Sequence, residues 1–184
     1  MTCIVGMISG NKVTIGADSA GVSGLDITIR KDPKVFTTGE FVIGCTSSFR
    51  MIELLQFSLK VKERGDKEVY EYMCTDFIKG VRKCFRKGGY LQKYTSGDDK
   101  GGQFLVGYQG RLFKIDNDFQ VGESVDDYDS CGCGESYAFG SLYNTEPDRA
   151  NVLYTTDDRI TRALETAEKF SGGVSAPFII KSIG

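Results

Sequence analysis

Threonine stands at position 2, directly behind a methionine. A small second residue permits removal of an initiator methionine. A threonine left with a free α-amine then holds a hydroxyl nucleophile and a base in one residue. The reference α-amine titrates near about 7.7–8.0, so a neutral fraction is present around pH 7. The chain has no histidine. That removes Ser-His-Asp and Cys-His hydrolases and every His-ligated metal site, and leaves the N-terminal threonine chemistry intact. Asp18 follows Thr2 by 16 residues and Lys34 by 32. Taken singly, each has a plainer reading. Thr2 is a second residue, Asp18 a loop cap, and Lys34 a solvated strand end; Lys31 competes with Lys34, because only strand register separates them.

Elements must position these residues. Two β-rich runs, 3–8 and 12–17, flank Ser9-Gly10-Asn11, which predicts a hairpin. A Gly/Ser-rich loop is expected over 19–24, then a strand pair at 34–37 and 41–46 turning at Thr38-Gly39-Glu40. From Ser47 the period changes: Phe49, Ile52, Leu55 and Leu59 recur at three and four, a helix capped by Ser47 or Ser48. Tyr70, Met73, Phe77, Val81 and Phe85 predict a second helix ending before Gly88-Gly89. A polar loop at 95–100 precedes strands at 103–108 and 111–115, with weaker strands near 119–121 and 128–133. Helices are expected over 136–143 and after a cap at Thr155 or Thr156, the latter with Ile160, Ala163, Leu164, Ala167 and Phe170 on its apolar face. A strand over 177–183 closes the order. Strands in blocks with paired helices predict antiparallel sheets under helical layers rather than βαβ units.

The 184 residues are 40% hydrophobic and 26% charged, which predicts one globular domain over 1–184 with a sizeable core. Twenty-three glycines against three prolines imply tight turns without a proline-rich linker. The net charge of −2 supplies no global field for nucleic acid or an anionic membrane. No apolar run approaches the roughly 20 residues that span a bilayer. Six cysteines, at 3, 45, 74, 84, 131 and 133, are scattered and accompany no signal peptide, so mostly buried thiols in a reducing, cytoplasmic setting are expected. Cys131-Gly132-Cys133 has half the ligands of a metal or redox site, but the other cysteines stand singly and core or turn packing is the reading preferred. No cofactor or metal is implied.

The run MTCIVGMISGNKVTIGADSAGVSG followed by RKDPKVF resembles the catalytic proteasome β-type subunits and their bacterial ATP-dependent protease relative, which are N-terminal-nucleophile hydrolases. The matching segments are Gly16-Ala17-Asp18-Ser19, Lys34-Val35-Phe36, Ser47-Ser48, Gly132-Cys133-Gly134-Glu135-Ser136-Tyr137-Ala138 and Phe170-Ser171-Gly172-Gly173. The resemblance spans nearly the whole chain, is densest over 2–48 and thins across 60–130. It implies an α+β, four-layer αββα sandwich and a threonine endopeptidase working inside a homo-oligomeric ring. Thr2 Oγ would attack the peptide carbonyl, with its own α-amine moving the proton. Lys34 would lie charged beside it, and Asp18 would hold Lys34. The Ser48 N–H would face the oxyanion, where the family has glycine. The family's amine-orienting serine and aspartate fall at Glu135 and Glu168, and its later serine at Ser171; an added carboxylate at Glu135 would raise the amine's proton affinity unless a cation compensates. Family pocket positions fall at Gly21, Asp32, Phe36, Thr46, Arg50 and Leu54. A polypeptide substrate and an ATP-dependent unfoldase partner are further implications. Ring contacts are expected from the apolar row Tyr70, Met73, Phe77, and from the basic row Lys79, Arg82, Lys83, Arg86 meeting the acidic 116–129 segment of a neighbour. The alternative is a catalytically silent scaffold of the same fold that retains Met1.

Overall fold

The computed structural model describes residues 1–93 and 99–184. The predicted hairpin forms: β1 (Cys3–Ser9) pairs with β2 (Lys12–Ala17) around Gly10, whose φ of +60° the turn requires. The expected loop at 19–24 is instead a second hairpin, β3 (Ala20–Ser23) with β4 (Asp26–Ile29), turning at Gly24. β4 is wholly exposed, and its period-2 pattern, Asp26-Ile27-Thr28-Ile29, directly follows the Gly/Ser-rich segment expected to be loop. β5 (Val35–Thr38) and β6 (Phe41–Cys45) pair next. α1 (Phe49–Ser58) starts at Ser48, whose Oγ accepts the Arg50 N–H at 3.1 Å. The second predicted helix is one rod of three pieces: α2 (Val69–Tyr72), a π-helical turn at Met73–Phe77, and α3 (Ile78–Lys87). β7 (Gln92–Lys93) pairs with β8 (Asp99–Lys100), so the expected polar loop is strand at its end, and 95–98 lie outside the described residues. β9 (Phe104–Tyr108), β10 (Arg111–Ile115), β11 (Val121–Gly122) and β12 (Tyr128–Gly132) follow. The chain ends with α4 (Glu135–Asn144), α5 (Thr156–Phe170), opened by a Thr155–Asp158 capping box, and β13 (Ile179–Ile183).

These elements make an α+β fold with two main antiparallel sheets. Their orders are β12-β1-β2-β13 and β11-β10-β9-β6-β5. Alternation along β1 sorts its side chains. Cys3, Val5 and Met7 pack with Ala163, Leu164 and Ala167 of α5, while Ile4 joins Val13, Ile15, Val42, Leu105 and Leu112 between the sheets. A third cluster sets Ile43, Val106 and Phe113 against Leu55, Phe77 and Phe85. Each fully buried side chain of this size contributes about 1.5–3 kcal/mol. The sheets approach closely at Gly44, where a Cβ would lie 2.6 Å from Ile4 Cγ2 and 2.7 Å from Ile15 Cγ2. By the same alternation Thr2 shares the face of Ile4, at the mouth of the inter-sheet layer. No helix among the described residues is long and apolar enough to cross a membrane.

Candidate active site

Thr2, Asp18 and Lys34 meet in a buried cluster, at 5%, 1% and 2% exposure. Asp18 lies just past the end of β2, and its carboxylate ties together four chain segments. Oδ1 accepts the Cys3 N–H at 3.0 Å, and Oδ2 accepts those of Ala20 at 2.9 Å and Ser175 at 3.4 Å. Both oxygens also accept from Lys34 Nζ at 2.9 Å. Lys34 stands one residue before β5, and its ammonium gives a further hydrogen bond to Thr2 Oγ1 at 2.9 Å. Burial pulls the Lys34 pKa below the ordinary lysine value, and the Asp18 charge and hydrogen bonds work against that shift. Lys31 is exposed on the preceding loop. The Thr2 hydroxyl donates to the Met1 carbonyl, so it sits between a cation and an acceptor.

The glutamates face elsewhere. Glu135 Oε2 accepts from Lys114 Nζ at 3.3 Å, and Lys114 also donates to the Ser130 carbonyl at 2.9 Å. Burial opposes the Lys114 charge, but Asp129 and Glu135 outweigh it and hold its pKa above the ordinary value. Glu168 Oε1 accepts from Ser175 Oγ at 3.2 Å and the Ala176 N–H at 2.8 Å, bracing the loop that also reaches Asp18. The group on the Thr2 backbone nitrogen is Cys133: the N–H donates to Sγ at 3.2 Å, and Sγ lies 3.3 Å from Ser171 Oγ. Of the expected core or turn packing for Cys131-Gly132-Cys133, Cys131 is fully buried between the sheets and Cys133 is exposed in the turn before α4, where its contact with Thr2 was not anticipated.

Ser48 is in extended backbone at φ −152°, and its N–H is given to the Thr46 carbonyl at 2.7 Å across Ser47, which takes the positive φ of 62°. A pocket of about 80 Å³ opens beside Thr2, bounded by Ala20, Val22, Lys34, Thr46, Phe49 and Ile52 among others. Of the expected pocket positions, Thr46 borders it. Gly21 lies between two of its wall residues, Phe36 is buried in the helix-side core, and Arg50 is exposed and paired with Glu53 at 3.2 Å. Leu54 belongs to that same core, and Asp32 pairs with Arg30, whose guanidinium covers the Phe49 ring at 4.0 Å. A larger groove of about 850 Å³, along 38–41 and 59–65, contains none of Thr2, Asp18 and Lys34. Among the described residues no group of three or more carboxylate or thiol side chains is arranged to hold a metal ion.

No protein-family profile and no curated protein sequence matches the chain. Solved structures do. BPH from Thiobacillus denitrificans, in complex with epoxomicin, superposes with a TM-score of 0.78 over 99% of this chain and 98% of that one, at 16% identity. The eukaryotic HslV of Trypanosoma brucei superposes with a TM-score of 0.68 over 98% of both chains, at 14% identity. A Gly-1 mutant of Anbu from Hyphomicrobium sp. strain MC1 gives 0.68 at 15% identity, covering 98% of this chain and 80% of that one. The chain therefore has the proteasome β-subunit-like fold of HslV-type N-terminal-nucleophile protease subunits, over nearly its whole length. At these identities the likeness is one of fold, and the chemistry rests on this chain's own residues.

Proposed function

We propose that the chain is a threonine endopeptidase whose nucleophile is Thr2, exposed when the Met1–Thr2 bond is cleaved. The observation that carries this is the 2.9 Å contact of the buried, Asp18-held Lys34 ammonium with Thr2 Oγ1. Cleavage would leave an α-amine where the Thr2 nitrogen now lies, within the same residue as the hydroxyl. Oγ then attacks a peptide carbonyl carbon and passes its proton to the amine. The amine returns it to the leaving nitrogen, and water hydrolyses the ester in a second round. Lys34 favours the alkoxide character of Oγ. The Ser48 N–H serves the oxyanion once it exchanges the Thr46 carbonyl for the substrate oxygen. One such donor is worth about 2.7–4 kcal/mol of barrier.

Core clusters in the order helix, sheet, sheet, helix support the αββα layering and a single domain. Six free cysteines are compatible with the reducing, cytoplasmic setting. A homo-oligomeric ring, a polypeptide substrate and an unfoldase partner complete the reading by analogy with the fold.

BPH was solved with epoxomicin; an epoxyketone offers two electrophilic carbons, which suit an adjacent hydroxyl and amine. The test is intact-mass labelling of this chain with epoxomicin. Modification should map to Thr2 and vanish in Thr2→Ala; labelling that persists in that variant, or maps to Cys3, overturns the proposal. The silent scaffold is the second reading, favoured by the Met1 carbonyl holding the Thr2 hydroxyl. An intact mass that retains Met1 selects it.

A further inference from the structure

Gly132, at φ +102°, brings its backbone so close to the Thr2 carbonyl that a Cβ there would collide with it. This approach sets the next residue, Cys133, against the nucleophile. Its Sγ accepts the Thr2 N–H at 3.2 Å, lies 3.4 Å from the Thr2 carbonyl oxygen, and meets Ser171 Oγ at 3.3 Å. We propose that Cys133 is the positioning residue for the Thr2 amine, at the centre of a Ser171–Cys133–Thr2 relay, so that this hydroxyl-nucleophile hydrolase depends on a free thiol. The inference rests on the peptidase reading above and adds to it a residue and a chemical sensitivity.

A neutral amine has two N–H groups and one lone pair. It acts as base toward Oγ only when the lone pair faces Oγ, and an acceptor that takes an N–H on the other side fixes that orientation. Sulfur is a weak acceptor, so it stabilises an ammonium less than a hydroxyl oxygen would and keeps the amine neutral to lower pH. The charged groups around the amine are already committed. Lys34 is bonded to Asp18 and Thr2 Oγ1, Glu135 faces Lys114, and Glu168 faces Ser175 and Ala176. The nearby Cys3 thiol is pushed up to about 12, first by burial, and stays protonated.

Cys133 is exposed, so methyl methanethiosulfonate reaches it. Its thiolate attacks the sulfenyl sulfur, an S–S bond forms, methanesulfinate leaves and the thiol proton goes to solvent; dithiothreitol reverses the step. The added CH₃S group fills the space between Ser171 and Thr2 and removes the acceptor. The readout is the rate of epoxomicin labelling at Thr2 across pH. In the wild type the reagent should abolish labelling and dithiothreitol restore it. Cys74→Ser, which removes the other exposed thiol, should behave as wild type. Cys133→Ala should slow labelling by about tenfold, as one lost orienting hydrogen bond allows. Cys133→Ser should recover much of that loss, ignore the reagent, and show its acid limb displaced to higher pH. Mass-verified modification of Cys133 that leaves Thr2 labelling unchanged, or a Cys133→Ala rate equal to wild type, overturns this proposal alone. Absence of Thr2 labelling in the untreated wild type overturns it together with the peptidase reading.

Discussion

Lys34 and Asp18 have both left water, and removing one partner of such a pair strands the other as a buried, uncompensated charge. Burial lowers the Lys34 pKa and Asp18 opposes the drop. In Asp18→Asn the opposition is gone, so Lys34 gives up its proton at lower pH. The basic limb of the pH–rate profile should therefore move down, read as epoxomicin labelling or peptide hydrolysis against pH; an unmoved limb would assign that limb to another group. Glu135 supplies the complementary case. The family resemblance implied a carboxylate, Glu135, beside the proposed Thr2 amine, whereas Glu135 pairs with Lys114. Lys114→Ala should release it toward the amine, stabilise the ammonium and shift the acid limb to higher pH, a shift that a second change, Glu135→Ser, cancels. Thr2, Asp18 and Lys34 were picked out through the family resemblance that their spacing carries, and the structure brings the three together, each at a strand end. Cys133 was not, because its direction is decided by the positive φ of Gly132, which a string of residue types does not display.

Helix phase was legible for the same reason that the cores exist. The row Met73, Phe77, Val81, Phe85 is fully buried against the five-stranded sheet. That placement also corrects the expected use of Met73 and Phe77 in subunit contacts, since only Tyr70 of that row is substantially exposed. The π-turn at Met73–Phe77 left no trace in the spacing, and the β3–β4 hairpin was masked by the Gly and Ser of β3, while β4, although alternating, is wholly exposed. Gly44 shows what the packed elements require. A methyl group there meets Ile4 and Ile15, whose branched side chains have little room to yield. Gly44→Ala should cost about 1–3 kcal/mol in denaturant unfolding. It should also slow Thr2 labelling, because Ile4 is two residues from Thr2. Unfolding that is unchanged would mean the sheets can part without penalty.

Charge pairing between subunits loses much of its material within the chain. Glu123 pairs with Arg111 at 2.6 Å, Asp129 lies 3.8 Å from Lys114, and Asp116 accepts from Gln103 at 2.8 Å. The proposed self-association can also draw on apolar surface, and the β3–β4 hairpin displays Leu25, Ile27 and Ile29. Light scattering at low and high salt should return the same assembled mass in both, and Ile27→Lys should lower it. A 20.2 kDa particle in both salts ends the proposal. Thr2 itself is anchored by the strand that follows it. β1 is an interior strand, paired to β12 on one edge and to β2 on the other, and β2 is in turn closed by β13. Such a strand does not fray; its amides exchange with solvent only when the surrounding sheet opens as a unit. The amides of Ile4–Met7 should be among the slowest to exchange, and heat should abolish activity and structure in a single event. Each molecule would be either fully competent or fully unfolded, with no softened, half-active population on the way.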